Sequence, residues 1–331
     1  MRVLVTGASG MLGGAVADLL AASGHDVRVM QRRTAGGRHT EALGDITDPK
    51  AVRRAVDGVE TIIHLAAKVD VVGRWADFAS TNVEGTRNVV KAARGAGVRA
   101  LVHISSPSVA HGGHSLVGVG AAPADPSVRG HYARTKAMAE RLALAAHTGD
   151  LKVTAIRPHL VWGPGDTQLV GRIVARAHAG RLAIVGSGAA LVDTTYVDNA
   201  AAAIVAALLR IDDAGGHAFV VTNGEPRPIG ELVADICRAG GAPPPHLHVP
   251  YPLAWGVGGL IEGVTALSHR VPGVPTISQP PLTRFLASQM ATAHWFDQRA
   301  TQQVLQWSPT VSIQQGLDIL RAHHSAGAGR R

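Results

Sequence analysis

Three glycines at a fixed spacing of three, Gly7, Gly10 and Gly13, follow a short aliphatic run at the start of the chain and precede an apolar stretch at residues 15–22. The aliphatic residues 3–5 read as a buried strand and the stretch behind the glycines as a helix. Each glycine has a physical reason in that context. Gly7 permits a sharp exit from the strand, Gly10 removes a Cβ from the path of an approaching pyrophosphate, and Gly13 lets the helix lie close to the sheet. The free N–H groups of the first helical turn, with the positive end of the helix dipole, then favour phosphate. A dinucleotide-binding βα turn is expected, with Gly7, Ser9, Gly10, Met11, Leu12 and Gly13 in contact with the cofactor.

A chain of 331 residues has room for about two domains of ordinary size. A hydrophobic content of 46% beside 17% charge is that of a globular protein. The single cysteine, Cys237, cannot form an internal disulfide, which points to a reducing, cytoplasmic setting. The apolar N-terminus is broken by the glycines and does not read as a signal peptide. The net charge of +8 comes mostly from arginines spread along the chain, without the basic and aromatic interleaving of single-strand binders. A nucleic-acid partner is therefore not expected. The charge fits an enzyme that handles anionic ligands.

Residues 26–30 read as the second strand, and the three residues after it bear on the cofactor. Sites that prefer NAD usually end this strand in an acid that holds the ribose 2′-hydroxyl, whereas this chain has Gln31, Arg32 and Arg33. Two cations and no acid favour NADP(H), with Arg32 and Arg33 as 2′-phosphate contacts. A third strand over Thr40–Leu43 leads to Asp45, which could accept from the adenine amino group, and to Ile46. Asp48 is placed to cap a helix whose first residue is Pro49. A fourth strand is expected over residues 61–67, its small residues Ala66 and Ala67 leaving room for a cofactor, and His64 reads as a packed histidine. Residues 82–86 open another helix. A fifth strand over Ala100–Ile104 runs into Ser105, Ser106 and Ser108, and a loop from 110 to 130 comes next. Strands alternating with helices at this spacing give an α/β fold, a doubly wound parallel sheet of the Rossmann kind.

His131 begins a long helix on which Tyr132 and Lys136 lie four apart and therefore on one face. With 3 tyrosines and five lysines in the chain, chance gives such a pair roughly once in twenty sequences. A free tyrosine has a pKa near ~10, and a neighbouring ammonium is expected to lower it. Tyr132 would then exchange a proton with a carbonyl or hydroxyl oxygen, Ser106 would hydrogen-bond the same oxygen, and Lys136 would tune Tyr132 and hold the nicotinamide ribose.

The glycine turn, the serine strand end, Tyr132 with Lys136, and Arg157-Pro158 resemble the extended short-chain dehydrogenases/reductases. The resemblance implies catalytic Ser106, Tyr132 and Lys136, with Ser105 and Ser108 as poorer matches for the serine. It implies a structural, relay or cofactor-side role for Asn82 and cofactor contacts near Ala66, Pro158 and Lys136. A dimer built from the Asn82 and Tyr132 helices is common in the family. Residues 192–199 resemble the 3β-hydroxysteroid dehydrogenase branch. Across nearly the whole chain the pattern is most similar to the 2-alkyl-3-oxoalkanoate reductases of bacterial long-chain olefin biosynthesis. That similarity is most specific at residues 162–170, 192–199 and 280–287. It implies NADPH-linked reduction of a β-keto group in a hydrophobic substrate that carries a carboxylate.

The expected layout is a cofactor domain over 1–160 and 191–222, a smaller, discontinuous C-terminal substrate domain over 161–190 and 223–324, and a disordered tail over 325–331. Residues 251–267 are apolar, but Pro252, four glycines and Glu262 argue against a membrane span and for a segment that lies on a surface, membrane included, or covers a pocket. Arg284 and His159 are candidate cations for a substrate carboxylate. His111 and His114 have a spacing that suits a metal, but no third ligand is evident and a loop explains them. No metal is expected.

Overall fold

The computed structural model describes residues 1–34, 36–70, 72–268 and 282–328. The stretches expected as strands, with residues 153–156 among them, lie in one parallel sheet, which Ala218–Val221, not marked in the sequence reading, completes. Its members are β1 (Arg2–Thr6), β2 (Asp26–Gln31), β3 (Thr40–Leu43), β4 (Thr61–His64), β5 (Ala100–Ile104), β6 (Lys152–Pro158) and β7 (Ala218–Val221), in the order β7-β6-β5-β4-β1-β2-β3. Val5 stands between Val29 and Ile63 in register, so strand order reverses direction at β1. In such sheets the crevice beyond the carboxyl ends at this switch point is where ligands bind. The sheet is doubly wound. Val16 and Leu20 of the helix Met11–Ala22 and Ile204 and Leu208 of Val197–Leu209 cover one face. Val52, Val56, Val89, Ala93 and Ala143 cover the other.

The glycine turn is as close-packed as its spacing implies. Gly7 has φ +79°, and a Cβ there would lie 2.8 Å from the Ala66 nitrogen. A Cβ on Gly13 would lie 2.3 Å from the Gly7 carbonyl oxygen. Asp48 caps Pro49–Val56 by accepting from the Lys50 N–H at 2.8 Å, as expected.

Several boundaries differ from the sequence reading. β4 ends at His64, because the Leu65 N–H turns to the Thr6 carbonyl and the Ala66 N–H to Thr6 Oγ1. Ala66 and Ala67 are thus loop residues. The helix expected from residue 82 starts at Trp75 and passes through a π-helical stretch, Ala79–Glu84, before Gly85–Gly95. The loop after Ser108 contains the strand Leu116–Val119, which pairs with His294–Phe296 in a second sheet with Leu191–Val192 and Arg227–Pro228.

Trp162, Val192, Tyr196, Leu232, Ile236 and Leu317 form the core of the smaller module. Asp166 accepts from the N–H groups of Gln168, Leu169 and Val170, which starts the helix Val170–His178. Leu305 and Trp307 pack with Val5 and Val16 in the core of the large sheet, so the chain returns to the first module well after residue 223. The last helix, Ile313–Ala328, runs four residues into the segment expected to be a tail; 329–331 lie outside the described residues, as do 280 and 281 of the 280–287 motif. No helix among the described residues is long and apolar enough to cross a membrane.

Gly13→Ala forces backbone against backbone and is expected to cost about 1–3 kcal/mol of stability, the usual penalty for overpacking. Urea unfolding of the variant beside Gly10→Ala checks this, since a Cβ on Gly10 would find its nearest neighbour at 3.5 Å, an ordinary contact.

Candidate active site

The carboxyl ends of β1, β4 and β5 and the helix His131–Leu144 bring the three expected reactive side chains together. Ser106 follows β5 in an extended conformation (φ −158°) that aims its hydroxyl out of the sheet. Its Oγ accepts from Ser108 Oγ at 2.9 Å and lies near enough to the Tyr132 hydroxyl to favour its anion. Ser105, by contrast, is buried with its hydroxyl unpaired, so Ser106 is the serine that meets the tyrosine.

Lys136 lies one turn beyond Tyr132, 3% exposed, and its ammonium donates to the Ile104 carbonyl at the end of β5. Burial lowers its pKa to about 8, against the raising influence of Glu140. The tyrosine departs from expectation. Burial raises the pKa of Tyr132, opposed only by the influence of Ser106, and Lys136 is turned to Ile104 instead. A half-buried phenol in a dry site loses more from desolvation of its anion than it gains from a hydroxyl partner.

Asn82 is 1% exposed and fully engaged. It accepts from the Lys68 N–H at 2.7 Å and donates to the Lys68 carbonyl at 3.1 Å and to Thr135 Oγ1 at 3.0 Å. It ties the segment after β4 to the tyrosine helix. His64 is a packed histidine, as read from the sequence. Thr6 Oγ1, which accepts from Ala66 N–H, donates to His64 Nδ1, and His64 Nε2 faces Thr86 Oγ1 at 3.1 Å. Burial holds its pKa near 3.

The residues at the switch point fit a dinucleotide. Gly10 caps Met11–Ala22 with no side-chain hydrogen bond, leaving the first N–H groups of that helix to an outside acceptor. Gly7 and Gly13 are required by the protein's own packing, but a Cβ on Gly10 would clash with nothing in the chain, so its bareness suits a ligand. Ser9 and Gly10 are exposed. At the end of β2, Arg32 and Arg33 are exposed and form no ion pair among the described residues. Gln31 is buried and donates to Glu41 Oε1. Asp45 accepts from the N–H and hydroxyl of Thr47, both at 2.9 Å, and Ile46 is buried against Gly85. Pro158, at the end of β6, is in register with Val221.

The two candidate cations for a substrate carboxylate are committed elsewhere. Arg284 donates from Nε to Glu262 Oε2 at 2.8 Å and lies over the Trp255 ring. His159 is buried, donates Nδ1–H to the Asp193 carbonyl at 2.6 Å, and is held near pKa 4 by burial, hence uncharged at neutral pH. His111 does not pair with His114 as a metal site would require. Its Nε2 lies 2.8 Å from Nε2 of His294, whose pKa burial lowers to about 3. The histidine cluster was not legible in the sequence, because His111, His159 and His294 come together only through the second sheet.

Residues 3–222 match the family model described as the NAD dependent epimerase/dehydratase family, and the chain belongs to it, among the extended short-chain dehydrogenases/reductases. Two of the relatives that extend over most of the chain share a name. It is 40% identical, over 98% of its length and 100% of the relative's, to "2-alkyl-3-oxoalkanoate reductase" of Stenotrophomonas maltophilia (strain K279a). It is 35% identical, over 97% and 86%, to the protein of the same name from Shewanella oneidensis (strain MR-1). Among solved structures, it is similar to "MoeE5 in complex with UDP-glucose and NAD", with a TM-score of 0.74, 26% identity and coverage of 99% and 100%.

The buried histidines make stability depend on pH. His64, His159 and His294 have folded pKa values below the ordinary His value, so the unfolded chain takes up protons first as pH falls. Each contributes a loss of about 1.4 kcal/mol per pH unit between its unfolded and folded pKa. Asp193 acts in the opposite sense, since its pKa is raised to about 6 by burial and the native state binds its proton first. Three histidines outweigh one carboxyl. Urea unfolding should show stability falling from pH 7 to pH 5, and a flat profile would contradict the neutral, buried imidazoles.

Proposed function

We propose that the protein is an NADPH-dependent reductase that converts the 3-oxo group of a long-chain 2-alkyl-3-oxoalkanoic acid to the 3-hydroxy acid. The observation that carries the reading is the placement of Ser106, at the carboxyl end of β5, beside Tyr132, with Lys136 one turn along the tyrosine helix. Family membership supports an oxidoreductase acting between keto and hydroxyl groups with a nicotinamide dinucleotide. The two reductase relatives supply the substrate class.

A nicotinamide dinucleotide held at the switch point would supply hydride for the carbonyl carbon. Tyr132 hydrogen-bonds the carbonyl oxygen and gives up its phenolic proton as negative charge grows there. Ser106 donates to the same oxygen and stabilises that charge. A raised phenol pKa suits this direction, since Tyr132 stands protonated and ready to act as the acid. Lys136 would hold the nicotinamide ribose. The N–H groups of Met11, Leu12 and Gly13 hold the pyrophosphate, and Arg32 and Arg33 hold the 2′-phosphate. We assign the acyl chains to the smaller module, where Leu253, Leu260 and Val264 of Tyr251–Ser268 present apolar surface. The same surface suits weak contact with a membrane, and a homodimer suits the family.

Oxidation is the assay direction, because β-keto acids decarboxylate. The purified protein should reduce NADP+ with a 2-alkyl-3-hydroxy fatty acid and remain silent with a 3β-hydroxysteroid; the reverse would move it to the steroid branch of its relatives. Tyr132→Phe should lower turnover by at least about a hundredfold, the scale of a general acid's contribution, with NADPH binding retained. Undiminished turnover would remove Tyr132 from the chemistry, and silence of the unaltered protein with every substrate beside intact cofactor binding would favour the alternative of a non-catalytic NADP(H)-sensing protein that binds a partner. Arg32→Ala with Arg33→Ala should erode the preference for NADPH over NADH. An unchanged ratio of the two affinities would overturn the 2′-phosphate assignment.

A further inference from the structure

The tyrosine helix carries a third polar side chain on the face of Tyr132 and Lys136. Glu140 comes four residues after Lys136, so the three stand one above the other. Glu140 is 1% exposed, and Arg157 of β6 clasps it with two hydrogen bonds, Nε to Oε2 at 2.8 Å and NH2 to Oε1 at 2.5 Å. Arg157 is itself 1% exposed and spends its remaining nitrogen on the Ala122 carbonyl at 2.6 Å. Buried ion pairs are weak contributors to stability, because desolvation offsets their attraction, and an apolar pair of similar volume often serves as well. A costly pair beside a reactive amine invites a reason other than stability.

The surroundings of Lys136 supply that reason. Its ammonium is buried and donates to one carbonyl, that of Ile104. Facing it are His64 from β4 and His103 from β5, both held neutral by burial and by the charge of Lys136, so neither offers it a counter-charge. Tyr132, one turn before it, is a neutral phenol. The neighbouring helical segment turns Asn82 and Thr86 inward, while its Asp77 and Glu84 are exposed. Glu140 is the carboxylate whose charge favours the protonated amine. Arg157 fixes the Glu140 carboxylate in one orientation with its two hydrogen bonds.

We infer that Glu140, locked by Arg157, is a positioning residue for the reaction: a buried counter-charge that keeps the Lys136 side chain charged and directed at the end of β5. This rests on the proposed roles of Tyr132 and Lys136 for its catalytic consequence, but the charge state of Lys136 can be read without turnover. With five lysines in the chain, [ε-13C]lysine labelling gives a resolvable NMR titration, and Lys136→Met assigns the signal. In the unaltered protein the Lys136 signal should titrate near 8. Replacing both partners at once, Glu140→Met with Arg157→Met, removes the carboxylate without stranding a buried cation and should lower that midpoint by about one pH unit or more, as loss of a close counter-charge does. The alkaline limb of kcat/KM should move down with it while NADPH affinity at pH 6 is retained.

A folded double variant with an unmoved Lys136 midpoint would overturn the inference. A lowered midpoint with an unmoved pH–rate profile would leave the electrostatic role standing and instead refute the proposed role of Lys136 in the reaction. Should the double variant fail to fold, Glu140→Asp keeps the ion pair's charges but withdraws the carboxylate by one methylene. It is expected to shift the midpoint in the same direction by a smaller amount, and no shift there would equally count against Glu140.

Discussion

Backbone meets backbone at the start of this chain with no room for a side chain. The Gly7 carbonyl touches Gly13 on the helix behind it, and Gly7 itself touches Ala66 where the chain leaves β4. These two approaches fix the helix Met11–Ala22 against the sheet and draw the end of β4 up to the end of β1. The crevice between β1 and β4 exists because both contacts are made at once. They also set the place of β5, which pairs with β4, and hence of Ser106. Thr6 reinforces the junction, since its hydroxyl is shared between the Ala66 N–H and His64.

Polar groups that are buried here hold reactive groups in place. Asn82 spends its amide on Lys68 and Thr135, which clamps the tyrosine helix to the segment beyond β4. Ser108 holds Ser106, and Arg157 holds the same tyrosine helix from the opposite side through Glu140. A similar device joins the two modules. Asn199 donates to Asn223 and to the Val311 carbonyl and accepts from the N–H groups of Thr310 and Val311. Trp162 donates to Thr194 from within the smaller core. Each is satisfied at several atoms, which gives the site one geometry and not a family of them.

The range of each interaction decided how much of it was legible in the sequence. The glycine turn, the helix cap at Asp48 and the Tyr132–Lys136 spacing are local, so the order of residues alone reveals them. The parallel sheet was legible chiefly through apolar runs such as Val3–Val5 and Ala100–Ile104, the latter placed to the residue, as was the more polar Thr40–Leu43. Leu116–Val119 was not, because what makes it a strand is His294–Phe296, far along the chain and itself unmarked by alternation. Leu305 and Trp307 likewise look like part of the second module until they are seen in the core of the first. Arg157 was visible as part of a motif, but nothing in the order of residues announces that its partner is Glu140.

The electrostatics were the least legible part, because burial is a property of the fold. Proximity in sequence made Lys136 look like the group that sets the tyrosine. In the folded chain desolvation acts on both, raising Tyr132 and lowering Lys136. A phenol that holds its proton and an amine that is still charged near neutrality suit reduction, in which the phenol gives up its proton as charge grows on the substrate oxygen. The proposed reaction needs Lys136 cationic, and burial opposes that. A carboxylate one turn away, itself held by an arginine from the sheet, is the simplest means a buried helix face has of resisting it.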